Sequence, residues 1–324
     1  MRFGIIGYQH AHISRFIREM LELGHDFIGV YEKEMSPLVE SLIKKYNVPF
    51  YDKLDSLLSR GLDIAGTSAI NNEKIDIIEL CSKNGIHIMV DKPAVTSEQG
   101  FKRLRKVIET NNIKVGMMLT ERYNPLLISL KKLIDDNQLG NIVSIMIIRA
   151  RALNPSIRPG WFYSKVKNGG PIIDLLDIAR WLTCSEFSRH KGVMLKNMLH
   201  EYPDFYNYAS VQSIMENESI LHCTTDWHIP EWSESRCICI GNKGMCEIML
   251  SGLPFNKEDK CIVFTDENSH INKVKGIDPE ISLCGDFINK IKNQSTCITD
   301  NDIIKSVEAT ILADENSEII VRDY

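Results

Sequence analysis

Residues 2–32, RFGIIGYQHAHISRFIREMLELGHDFIGVYE, decide the fold. Arg2–Gly7 is a short apolar run ending in glycine, and Tyr8–His12 is a polar loop. Ile13–Leu23 then places apolar residues at 13, 16, 17, 20, 21 and 23, the spacing of an amphipathic helix. Phe27–Tyr31 is a second apolar run, closed by Glu32. Strand, glycine turn, helix, strand and acid follow in the order of a Rossmann nucleotide-binding unit. An acid at that place accepts hydrogen bonds from the adenosine ribose and repels a 2′-phosphate. Glu32 therefore favours NAD over NADP, with neighbouring Lys33 pulling the other way.

The glycine fingerprint is incomplete. Counted from Gly7, G-x-G-x-x-G needs glycine at 9 and 12, where the chain has Gln9 and His12. Gln9 can offer its side-chain amide to a phosphate, and the helix start still presents N–H groups. The alternative is a domain that keeps the fold and has lost its nucleotide.

Further along, Asp91-Lys92-Pro93 closes the apolar run His87–Val90. That places a lysine at the end of a parallel strand, where open α/β sheets bind ligands. A purely structural Lys92, pairing with Asp91 to hold the crossover, is the competing reading. Between and beyond these runs the β/α alternation continues: Leu62–Gly66, a helix near 71–83, a helix near 97–111, and the strand Lys114–Met118. It predicts a parallel sheet covered on both faces over residues 1–120.

From 121 to 324 the texture changes. A helix near 124–136 is followed by strand-like runs at Ile142–Ala152, Tyr208–Met215, Ser219–His228, Arg236–Ile240 and Met245–Leu250. Helical patterns return near 281–291 and 300–316. The expected fold is an N-terminal Rossmann domain followed by an α+β domain with a large, mostly antiparallel sheet.

Composition bounds the partners. The 324 residues carry a net charge of −5 and no basic block, which argues against nucleic acid. No apolar run is long enough to span a bilayer, and a strand beginning at Arg2 leaves no room for a signal peptide. The nine cysteines are scattered without C-x-x-C spacing, so buried free thiols are expected, along with a reducing, cytoplasmic setting. No metal site is expected. His10 and His12 read as parts of the phosphate loop.

Several segments together resemble the Gfo/Idh/MocA oxidoreductases, the group of glucose–fructose oxidoreductase and inositol dehydrogenase. Asp91-Lys92-Pro93 resembles the family's Glu-Lys-Pro, and Glu121-Arg122-Tyr123-Asn124-Pro125 resembles the segment opening its second domain. Trp161-Phe162 with Gly169-Gly170-Pro171 resembles the approach to the catalytic helix, and Ile240–Ile248 the late hairpin. The resemblance implies hydride transfer between nicotinamide and a carbinol carbon of a sugar, polyol or related small molecule. It implies catalytic roles for Lys92 and Asp174, and cofactor contacts from Gly7, Tyr8, Gln9, His10, Glu32, Ser68, Asn71, Asp91, Lys92 and Arg122. Substrate contacts would come from Trp161, Tyr163, Asp177 and His228. It also implies a homodimer or homotetramer built through the C-terminal sheet.

The resemblance breaks at the catalytic helix. Matching the glycines makes Asp174 the family's first Asp, and matching Trp181 makes Asp177 its last. Both fit only if four residues are missing after Leu176, the family's histidine among them. Four residues are about 1.1 helical turns, so the apolar face survives such a loss. Asp174 also reads as a helix cap. Leu221–Ile229 puts His222, Thr224, Asp226 and His228 on one face, toward either a pocket or an oligomer interface. A weakened relative, sensing or binding a nucleotide or sugar, is the alternative to an enzyme.

Overall fold

The computed structural model describes residues 1–154, 156, 158–165, 172–196, 199–229, 233–252 and 260–321, without the side chains of 228 and 229. The described residues form two compact units. The first comprises Met1–Leu119 and Ile281–Val307, and the second Thr120–Lys165 with the described parts of 170–280 and 308–324.

In the first unit, β1 (Arg2–Tyr8), β2 (Asp26–Tyr31), β3 (Phe50–Tyr51), β4 (Ile64–Ser68), β5 (His87–Val90) and β6 (Val115–Met117) lie in the order β3-β2-β1-β4-β5-β6. All pairings are parallel. The order reverses between β1 and β4, the switch point where such sheets take ligands at their carboxyl ends. Residues 3–8 of β1 are all buried, as a strand covered on both faces requires. The crossovers use α1 (Ser14–Glu22), α2 (Pro37–Tyr46), α3 (Leu54–Leu58), α4 (Lys74–Lys83) and α5 (Glu98–Thr110). Helix α1 approaches the sheet closely because Gly66 has no side chain. A Cβ there would stand 2.6 Å from Phe16 Cε1, and Phe16 also meets Phe3 edge-on at 5.6 Å.

In the second unit, nine strands follow: β7 (Ile142–Ala152), β8 (Phe187–Lys196), β9 (Tyr206–Met215), β10 (Ile220–Ile229), β11 (Glu234–Gly241), β12 (Gly244–Met249), β13 (Cys261–Asp266), β14 (Ile271–Val274) and β15 (Ser317–Val321). Their order is β14-β13-β12-β11-β7-β10-β9-β8-β15, antiparallel except for β7/β10 and β8/β15. Helices α6 (Pro125–Asp135) and α7 (Ile173–Thr183) contribute Leu127, Leu130, Leu175 and Leu176 to the same buried cluster as Ile145 and Ile147 of β7. On β10, Leu221, Cys223 and Thr225 are buried while His222 is exposed. Alternation therefore puts His222, Thr224 and Asp226 on the face away from this core.

The contiguous second domain expected from 121 to the C-terminus needs one correction. Helix α8 (Leu283–Ile291) packs in the first unit: Cys284 N donates to Glu19 Oε2 at 2.9 Å and Lys290 Nζ to the Val115 carbonyl at 2.9 Å. The following helix α9 (Asp300–Glu315) starts in the first unit and ends in the second.

Seven of the nine cysteines are buried, with Cys184 and Cys297 exposed. Burial pushes the Cys223, Cys239 and Cys246 thiols up to about 12, so they act as small apolar groups. Among the described residues no helix is long and apolar enough to cross a membrane.

His190 on β8 predicts an acid limb. Its Nδ1 meets Ser213 Oγ at 2.8 Å, its Nε2 is buried without a hydrogen-bond partner among the described residues, and burial pulls it down to about 4. The folded state then binds fewer protons than the unfolded chain between the ordinary histidine value and 4. Stability from this group is present above pH ~6.5 and lost as pH falls toward 4. In urea unfolding at stepped pH, His190→Gln is expected to flatten that loss. An unchanged slope would place the acid sensitivity elsewhere.

Candidate active site

The carboxyl end of the six-stranded sheet carries the first unit's chemistry. Gly7 ends the loop side of β1 at φ +81°, and a Cβ there would stand 2.7 Å from Ala69 Cβ. The turn leaves no room for another residue, which suits a loop that must receive a dinucleotide at close range. Glu32 is buried at the end of β2, and its Oε2 accepts from Tyr8 N at 2.8 Å. Its Oε1 accepts from Lys33 N at 3.0 Å and from Gln9 Nε2 at 3.3 Å.

Gln9 departs from the expected phosphate contact. Its Oε1 accepts from Ile70 N at 3.2 Å, so the side chain bridges the end of β2 to the loop after β4. The amide that was expected to meet a phosphate is held by Glu32 and Ile70.

Asp91-Lys92-Pro93 lies at the end of β5, with a cis Lys92–Pro93 bond. The fully buried Lys74 fixes it, a residue not anticipated from the sequence. Its Nζ donates to the carbonyls of Asp91 at 2.5 Å and Pro93 at 3.1 Å, and to Asn71 Oδ1 at 2.7 Å. The clamp grips the backbone on both sides of Lys92. Burial pulls the Lys74 ammonium down to about 8, with Asp91 opposing and Lys92 adding to the shift. Asn71 is thus a partner of Lys74, while Ser68 is fully buried and its carbonyl accepts from Gln9 N.

The Asp91 carboxylate faces two histidines. His10 Nδ1 lies 3.2 Å from Oδ2 and His12 Nδ1 3.6 Å from Oδ1, with the two rings 3.8 Å apart. Burial raises the Asp91 carboxyl, but the Lys74 charge and the two histidine contacts outweigh it and hold the group well below the usual carboxylate range. His10 is lowered by burial, against the pull of Asp91. The three ligand atoms lie within 4.8 Å of one another, close enough for a metal ion. The Lys74 ammonium acts on the Asp91 carboxylate and opposes a dication there.

In the second unit, α7 carries two acids with separate arginine partners. Asp174 Oδ2 accepts from Arg149 Nη1 at 2.9 Å, and Arg149 Nη2 donates to Glu121 Oε1 at 2.9 Å. Burial pulls the Arg149 guanidinium down, while Glu121 and Asp174 more than offset this and raise it. Asp174 sits in the helix's first turn and pairs with a strand residue. Asp177, one turn on, takes Arg122 in two-point geometry, Nη2–Oδ1 at 2.8 Å and Nε–Oδ2 at 3.0 Å. Arg122 and Asp177, expected at cofactor and substrate, are thus each other's partners.

Tyr163 stacks on Tyr202 at 3.9 Å, and Phe162 meets Trp227 edge-on at 5.3 Å. With Phe205 and the half-buried Trp161 they form a satellite aromatic cluster. Gly169, Gly170 and Pro171, and the side chain of His228, lie outside the described residues.

Residues 1–118 match the family described as oxidoreductase family, NAD-binding Rossmann fold, and residues 127–247 match the GFO/IDH/MocA C-terminal domain. Among curated proteins, glucose-6-phosphate 3-dehydrogenase of Bacillus subtilis (strain 168) is 27% identical over 124 residues. That stretch is 38% of this chain and spans about a third, 34%, of the relative. A solved structure from Erwinia carotovora atroseptica superposes with TM-score 0.89 at 18% identity over 99% of both chains. Aldose–aldose oxidoreductase from Caulobacter crescentus gives 0.80 at 14% identity, over 98% of this chain and 97% of that one. An Agrobacterium radiobacter oxidoreductase in complex with NAD+, L-tartaric acid and magnesium gives 0.80 at 11%, over 98% and 96%. These likenesses share the fold, and the two domain matches fall on the two halves in which the structure builds a parallel sheet and a nine-stranded sheet. The cofactor of the first half is NAD, and the chain belongs to the Gfo/Idh/MocA family of oxidoreductases.

Proposed function

We propose that this protein is an NAD-dependent oxidoreductase moving a hydride to or from a hydroxyl-bearing carbon of a sugar, polyol or related small molecule. Bound NAD supplies the hydride acceptor. The observation that supports the reading most is the Lys74 clamp, which fixes the backbone on both sides of Lys92 at a strand's carboxyl end. An ammonium held there donates to the reacting oxygen and stabilises developing alkoxide charge. Asp91, kept ionised, orients His10 and His12 beside the loop that would carry the pyrophosphate. Glu32 would take the ribose hydroxyls and exclude a 2′-phosphate.

The second unit would hold the substrate. Asp174, paired with Arg149, serves as a hydrogen-bond acceptor for a substrate hydroxyl in a chain whose family histidine is missing. Met146, Ile148, Ile238, Ile240 and Met245 share the sheet face opposite the helices, with Ile148 and Met245 exposed. That apolar face supports a homodimer or homotetramer. The free, buried thiols accord with a cytoplasmic location.

One observation favours the weakened relative: Gln9 already occupies a Glu32 oxygen. Fluorescence titration with NADH and with NADPH separates the readings. Micromolar binding that prefers NADH supports the enzyme and leads to a sugar and polyol screen with NAD+. Binding of neither cofactor moves the assignment to a non-enzymatic relative. Gln9→Gly is expected to tighten NADH binding about fivefold, the worth of about one net hydrogen bond returned to the ligand. Unchanged affinity would show that the bridge does not compete with the cofactor.

A further inference from the structure

The inward face of β7 changes character along its length. Ile145 and Ile147 are buried in the apolar core, and Arg149 and then Arg151 continue on the same face. Arg149 is compensated by Glu121 and Asp174. Arg151 differs: it is half-buried, and among the described residues no carboxylate pairs with it. Arg158, also half-buried, has rings for neighbours and, among the described residues, no acid. Its Cζ lies 4.8 Å from the Phe162 centroid and 5.2 Å from that of Trp227.

Among the described residues the local charge does not balance: three guanidinium groups (149, 151, 158) stand against two carboxylates (121, 174), an excess of one positive charge. Burial, then Arg149, pulls Arg151 below its ordinary value, and burial does the same to Arg158. The Tyr163 hydroxyl in the same neighbourhood is buried without a hydrogen-bond partner among the described residues. Half-burying a guanidinium without a counter-charge costs stability and gives none back in the free protein. The cost is recovered when an anion arrives. Stacking on Phe162 and Trp227 holds the Arg158 plane, so its fork is set in advance for an oxyanion.

We propose that Arg151 and Arg158 bind an oxyanion group of the substrate, a phosphate or a carboxylate, so that the compound oxidised is an acidic sugar derivative and not a neutral polyol. This rests on the oxidoreductase reading for the word substrate, but the anion site itself does not.

Calorimetry on the full chain without nicotinamide tests it, using glucose 6-phosphate, glucuronate and glucose, which differ only in the charged group. At least one anionic ligand is expected to bind, with glucose tenfold weaker or worse. Its rank against the other tells phosphate from carboxylate. Arg151→Gln and Arg158→Gln are each expected to weaken the anion by about ten- to a hundredfold, with glucose unchanged. Arg151→Lys, which keeps the charge, is expected to retain part of the affinity, and circular dichroism midpoints check that each variant folds. Equal binding of glucose and the anions, or anion binding indifferent to both arginines, overturns the site even if the protein oxidises sugars. Binding of none of the three, nor of inorganic phosphate at millimolar concentration, overturns it too. Arginine-dependent anion binding with no turnover of any hydroxy compound would leave the site standing and remove the oxidoreductase reading.

Discussion

Lys92→Met is expected to lower turnover by about 10²–10⁴ while leaving NADH affinity within a few-fold of the parent. The size follows from what the ammonium would do: donate to the reacting oxygen and steady its charge, a contribution made mostly in the transition state. Methionine keeps the stem and removes the charge, and the Lys74 clamp uses backbone carbonyls, so the local fold should persist. The measurement is kcat with NAD+ on whichever hydroxy compound reduces it in the screen, alongside an NADH titration. Full turnover in Lys92→Met would remove Lys92 from the mechanism. Loss of NADH binding together with turnover would assign it to the cofactor instead. Lys74→Met serves as contrast. Without the clamp the carbonyls of Asp91 and Pro93 lose their donor, and both affinity and turnover should fall together with stability.

How much of this was legible beforehand depends on the range of the interactions. Five strands of the six-stranded sheet are legible as short apolar runs, whereas the two-residue β3 is too short to give a signal and α2 and α3 beside it go unread. Ile142–Ala152 matches its strand to the residue, and His87–Val90 does too. Strand β8, FSRHKGVMLK, mixes charge and apolar residues without clean alternation and gives no such signal. At the site, Lys92 could be found because its neighbours in sequence are its neighbours in space. Lys74 could not, because its partners lie 17 and 19 residues away and nothing local marks a helical lysine as buried. Asp174 and Asp177 were visible as an i, i+3 pair, but their partners come from 25 and 55 residues earlier. Gln9 reads as a phosphate ligand because it stands where the fingerprint has its middle glycine, and nothing local ties it to Glu32. The competing hydrogen bond between them is a contact across 23 residues.

That long-range pairing carries the second large effect. Asp177→Asn is expected to destabilise the protein by about 3–5 kcal/mol, because Arg122 would be left buried without its counter-charge. Both side chains are 2% exposed, so water cannot take over the lost contacts. Arg180 aggravates the loss: its Nη1 lies 3.8 Å from Asp177 Oδ1, although its main partner is Glu186 at 2.6 Å. Replacing both members, Arg122→Leu with Asp177→Leu, should recover most of the stability, since a buried ion pair gains little over apolar residues of similar size. Urea unfolding followed by circular dichroism reads both. The comparison also decides the role of Asp177. If the carboxylate touches substrate, Asp177→Asn reduces turnover with little change in urea midpoint. If it is the buried partner of Arg122, the midpoint falls first, and turnover measured well below the midpoint is kept. The two-point geometry and the near-complete burial lead to the second result. It would leave Asp174, paired with Arg149, as the acid of α7 for the substrate.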